Sequence, residues 1–71
     1  MSVELKAPMT GKIICIAVNP GDRVSAEDEV IIMDAMKMEI PVYAPDNGVV
    51  KEIKVKEGDS VKTDQVLMIL E

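Results

Sequence analysis

At 71 residues, with 13 acidic against 8 basic side chains and a net charge of −5, the chain has room for one small domain, 1–71, and a modest core. It holds no histidine, a single cysteine and one aromatic residue, Tyr43, which excludes a Ser-His-Asp triad, a Cys/His zinc site, an intrachain disulfide and stacking platforms for single strands. An acidic chain also repels phosphate backbones, so no nucleic-acid partner is expected.

No apolar run nears the length of a bilayer span, so direct membrane insertion is not expected, and residues 1–10 do not read as a signal peptide. The lone thiol lies in Ile13-Ile14-Cys15-Ile16 and reads as a buried, inert cysteine. Together these features suit a reduced, cytoplasmic setting.

In chain order, strands are expected at 2–7, 12–18, 22–25 and 29–33, then at 38–43, 49–55, 59–62 and 66–70. Their apolar positions are mostly Val and Ile, which favour extended backbone. Pro8, Gly11 and Pro20-Gly21 punctuate the first set; Pro45, Gly48 and Gly58 punctuate the second. Residues 25–29, Ser-Ala-Glu-Asp-Glu, could instead form one helical turn. Residues 49–55 partly alternate, with Lys51 sharing the face of Ile53 and Val55 and with Glu52 and Lys54 opposite.

The two sets are copies of each other. Residues 7–34 align with 44–71 at a constant offset of 37 without gaps. Ala7/Ala44, Pro8/Pro45, Gly11/Gly48, Ile16/Ile53, Val18/Val55, Gly21/Gly58, Asp22/Asp59 and Val24/Val61 are identical, and pairs such as Val30/Leu67, Ile32/Ile69 and Asp34/Glu71 match or keep their character. Identity falls on turn and core residues together, so composition alone does not produce it. Two copies are too few for a solenoid. They suit an all-β body of two four-stranded antiparallel sheets related by a pseudo-twofold axis, with Met33 and Met68 filling the core.

Between the copies lies Met33-Asp34-Ala35-Met36-Lys37-Met38-Glu39, whose residues 35–37 form the tip of a hairpin joining the fourth and fifth strands. Symmetry sends both termini to the other end and leaves Lys37 farthest out. Three roles compete for that lysine. A polar tip residue needs no function. A catalytic lysine needs burial or neighbouring cations, whereas Asp34 and Glu39 favour the ammonium. An attachment point needs only an exposed amine that a separate enzyme can distinguish from Lys6, Lys12, Lys51, Lys54, Lys56 and Lys62. Exposed methionines on either side would give that enzyme its grip, and they have no packing return.

Ala35-Met36-Lys37-Met38 resembles the Ala-Met-Lys-Met biotin-attachment motif of biotin carboxyl carrier domains, and the repeat resembles the flattened barrel-sandwich fold shared by biotinyl and lipoyl domains. The similarity covers essentially the whole chain. It implies covalent biotin on Lys37, with Ala35, Met36 and Met38 as the motif read by a biotin protein ligase. It also implies a non-catalytic carrier that moves a carboxyl group between a biotin carboxylase or decarboxylase site and a carboxyltransferase site. Asp34 departs from the family's more frequent Glu but keeps its charge. Lipoyl domains, the alternative, resemble Asp-Lys-Ala around their lysine, and Met36 stands against that reading. The tight Asn19-Pro20-Gly21-Asp22 loop leaves no room for the thumb insertion of some acetyl-CoA carboxylase carriers, so the resemblance is to the thumbless type.

Overall fold

A computed structural model describes residues 2–71. Eight strands follow one another: β1 (Val3–Lys6), β2 (Gly11–Ile16), β3 (Arg23–Val24), β4 (Glu29–Ala35), β5 (Met38–Tyr43), β6 (Gly48–Ile53), β7 (Ser60–Val61) and β8 (Val66–Leu70). They form two four-stranded sheets, ordered β1-β8-β6-β3 and β5-β4-β2-β7, antiparallel throughout. Exchanging β1 with β5, β2 with β6, β3 with β7 and β4 with β8 converts one order into the other. The doubled sequence has therefore folded into the pseudo-twofold barrel-sandwich that its repeat implies.

The halves interlock rather than stack. After β2 the chain crosses to the opposite sheet and pairs β3 with β6; after β6 it crosses back and pairs β7 with β2. Each crossing is made by a turn that requires the Gly-Asp pair found in both copies. Gly21 and Gly58 sit at φ +94° and +95°, where a Cβ is strained. The following carboxylates accept hydrogen bonds from Asn19 N–H (2.8 Å, to Asp22) and Lys56 N–H (2.9 Å, to Asp59). Gly21 N–H then donates to Val50 O and Gly58 N–H to Ile13 O, both at 2.7 Å, so each turn is stitched to the other repeat.

Inward-facing Val, Ile, Leu and Met side chains fill the space between the sheets, and no polar or charged residue among those described is buried with them. Met33 and Met68 are fully buried, opposite in role to the exposed methionines of the tip. Their counterparts across the repeat are Leu70 and Ile31, also buried, so volume rather than chemistry governs those sites. Burying each such side chain contributes about 1.5–3 kcal/mol, an upper range because the unfolded chain already hides part of that surface.

Several local expectations need correction. Residues 25–29 make no helical turn. Ala26-Glu27 form a tight turn in which Asp28 N–H reaches Ser25 O at 3.0 Å, with Glu27 left-handed at φ 72° and its counterpart Asp64 at 68°. Strand β4 runs to Ala35 rather than stopping at 33, which shortens the connection to β5. Lys51 does not share a face with Ile53 and Val55. The β6–β8 register slips between Val50 and Glu52, and the bulge turns Lys51 outward to pair with Glu71 at 3.1 Å. The same slip occurs 37 residues earlier, between Ile13 and Cys15, leaving Ile14 41% exposed and Cys15 half-buried rather than buried. Simple alternation cannot register a bulge, because an extra residue re-phases everything beyond it.

Gly11 and Gly48 explain their own identity by contact. A Cβ on Gly11 would lie 2.6 Å from Asp34 O and 3.0 Å from the Ala35 Cβ; one on Gly48 would lie 2.8 Å from Glu71 O. Backbone, not a flexible side chain, stands in the way. Gly11→Ala is expected to destabilise by about 1–3 kcal/mol, read as a lowered midpoint in thermal or urea unfolding. Gly48→Ala should behave alike, and an unchanged midpoint for either would contradict the close approach.

Candidate functional site

Strands β4 and β5 pair without interruption from Ile31↔Val42 to Ala35↔Met38, so only Met36 and Lys37 remain to turn the chain. A two-residue hairpin loop matches the strands' right-handed twist when both residues have positive φ, and Asn-Gly is the economical choice there. Here φ is 54° at Met36 and 64° at Lys37. Neither residue type favours this region, and each costs about 1–2 kcal/mol relative to right-handed backbone. None of the other described turns holds two consecutive left-handed residues. Strain of this kind persists where residue identity matters more than turn economy.

The motif divides in two. Met36 is 84% exposed, Met38 is 65% exposed, and the Lys37 side chain is also in solvent. Ala35, by contrast, is 3% exposed and packs over Gly11, so its side chain supports the turn from below. Three consecutive side chains are therefore offered at the apex on a base fixed by β2, and the fourth holds that base in place. The apex is also remote from the chain ends. Gly21, beyond the far end of β2, bonds Val50 near the start of β6, and Val49 and Glu71 exchange two 2.8 Å backbone hydrogen bonds there.

Charge is unevenly distributed around the apex. One exposed row crosses the sheet through Glu39, Asp34, Lys12 and Ser60, each residue paired with the next. Asp34 and Glu39 oppose each other directly, a like-charge pair that destabilises slightly. This row borders a groove of about 510 Å³ lined by Thr10, Gly11 and Lys12 of β2 and its approach, by Ser60, Val61 and Lys62 of the paired β7 segment, and by Asp34 and Lys37. No group of three or more Cys, Asp or Glu among the described residues is placed to hold a metal.

The hairpin tip and its lysine were legible from the repeat boundary. The left-handed turn was not, since Met-Lys carries no turn signal, and neither were the Ala35–Gly11 contact and the groove. The glycine repeated at Gly11 and Gly48 was the one available hint of a close crossing.

Comparison with known proteins agrees with this geometry. A biotin/lipoyl attachment protein from Bacillus subtilis (strain 168) is 45% identical over 70 residues, covering 99% of this chain and 93% of that protein. The dihydrolipoyllysine-residue acetyltransferase component of the pyruvate dehydrogenase complex of Cupriavidus necator is 40% identical over 75 residues, and the human mitochondrial propionyl-CoA carboxylase alpha chain is 36% identical over 70; the chain spans only 14% and 10% of their lengths. Among solved structures, urea carboxylase from Kluyveromyces lactis superposes with a TM-score of 0.93 at 34% identity over the whole chain, which spans 6% of that enzyme. The family of biotin/lipoyl domains, described as biotin-requiring enzyme, matches residues 3–70, and the chain belongs to it.

Proposed function

We propose that Lys37 is the residue acylated with biotin, and that residues 1–71 act as a carboxyl carrier domain with no catalysis of their own. The observation that carries this reading is the strained two-residue turn, which projects Lys37 between exposed Met36 and Met38. These residues fit the group. The amine is accessible and nothing among the described residues ion-pairs it, while the thioethers are flexible apolar handles for a biotin protein ligase. Once attached, biotin supplies a ring nitrogen that carries a carboxyl group between a carboxylase or decarboxylase site and a carboxyltransferase site.

What the chain's own residues supply is aim. The uninterrupted β4–β5 ladder and the Ala35–Gly11 contact hold the lysine's Cα still, so the motion that remains lies in the side chain and whatever it bears. Tethering makes each encounter effectively intramolecular, at roughly millimolar local concentration. The carboxylase relatives support biotin as the cargo. A lipoyl carrier is the second reading, favoured by the 40% identity to the Cupriavidus acetyltransferase component. Met36, where the resemblance to lipoyl domains would place Asp, favours biotin.

Co-expression with a biotin protein ligase should add the mass of one biotinyl group, and Lys37→Ala should abolish it. A lipoyl adduct instead, or biotin retained on the variant, would overturn the assignment. Met36→Leu and Met38→Leu should each slow acylation by roughly tenfold while shifting stability by less than about 0.5 kcal/mol, measured by acylation kinetics beside thermal melts. The double change Met36→Asn/Lys37→Gly should raise stability by about 1–2 kcal/mol while eliminating modification. A stability loss there would show that the tip is not strained.

A further inference from the structure

The pseudo-twofold axis gives the groove beside Lys37 an internal control, because the molecule builds the same groove twice. Shifting Gly11, Lys12 and Asp34 by the repeat offset gives Gly48, Val49 and Glu71, which line a second groove of about 420 Å³ at the opposite end with Arg23, Val24 and Ser25. The fold thus requires a groove at each end, but it does not require the same charge. At the apex end three lysines, Lys12, Lys37 and Lys62, face one carboxylate, Asp34. At the other end a single arginine faces a single glutamate. Where the apex groove has Lys12 and Lys62, its counterpart has Val49 and Ser25, so backbone and packing are satisfied without cations there.

Those lysines are also unspent. The ion pairs among the described residues join Lys51 to Glu71 and Lys54 to Glu52, and neither Lys12 nor Lys62 takes part in one. A cationic recess in a chain of net charge −5, opening at the lysine that an outside enzyme must reach, is complementary to an acidic surface.

We propose that this groove is a docking site for an acidic surface of the ligase that acylates Lys37, with Lys12 and Lys62 fixing which side of the apex the enzyme occupies. The proposal rests on the biotinylation reading above. It also gives the product a way off. In the acylation, the Nζ–C amide bond forms as the acyl–phosphate bond of a ligase-supplied biotinyl adenylate breaks. AMP leaves with the bonding pair, and the ammonium gives up two protons. The groove loses one of its three positive charges, so attraction to an acidic surface is greater before reaction than after it.

The test compares the intact chain with Lys12→Gln/Lys62→Gln, with Lys12→Arg/Lys62→Arg, and with Arg23→Gln in the counterpart groove, using purified ligase, biotin and ATP. Acylation is followed by intact mass at about 20 mM and about 300 mM salt, and folding by thermal melts. The glutamine pair should lose about tenfold in kcat/KM at low salt, mostly through KM, and the difference should shrink at high salt. The arginine pair and Arg23→Gln should match the parent chain. A glutamine pair that reacts like the parent, an equal loss for Arg23→Gln, or a parent rate indifferent to salt would overturn the docking site. If the parent chain itself takes no biotin, the reading of Lys37 fails; if it is biotinylated and the variants do not differ, only the docking site does.

Discussion

The structure depends on an exchange. Each repeat divides its strands two and two between the sheets, β1 and β3 against β2 and β4 in the first and β6 and β8 against β5 and β7 in the second, and a Gly-Asp turn fastens the transfer of each short strand, β3 or β7. Without those crossings, two small sheets would face each other across a core too thin to offset the entropy of ordering the chain. With them, neither repeat can separate without breaking pairing in both sheets. This is how a chain with no disulfide and no metal stays rigid enough to present a side chain in a defined place.

Much of this was legible in the sequence because the repeat wrote it twice. Strand count, strand pairing class, core methionines and the midpoint hairpin all follow from Val/Ile patterning and from turn residues recurring at one offset. What escaped was what periodicity cannot encode. Bulges at Ile14 and Lys51 re-phase their strands, so Cys15 sits at the margin of the core and Lys51 turns out to Glu71. The left-handed backbone at Glu27 and Asp64 has no Gly or Asn to announce it. At the site, the tip position of Lys37 between two exposed methionines could be read from the repeat boundary. The buried role of Ala35 could not, since it comes from the approach of Gly11, a contact between residues distant in sequence.

Symmetry also separates what the fold needs from what it merely permits. Features present at both ends, such as the glycine crossings, the Asp-capped turns and the grooves themselves, are structural. Features present at one end only are candidates for function: the left-handed Met36-Lys37 pair, the opposed Asp34 and Glu39, and the lysines of the apex groove. Each of these raises the free energy of the isolated domain slightly, and all of them cluster around one amine.

The far end has a consequence of its own. Strands β1 and β8 lie side by side, Val3 opposite Leu70, at the position where a second hairpin would complete the symmetry. The body measures 33 × 17 × 16 Å. Any polypeptide continuing from either strand would leave at the end opposite Lys37. The folded unit would then work as a stiff lever, swinging its apex through a wide arc while its point of suspension stays clear of whatever enzyme the apex enters.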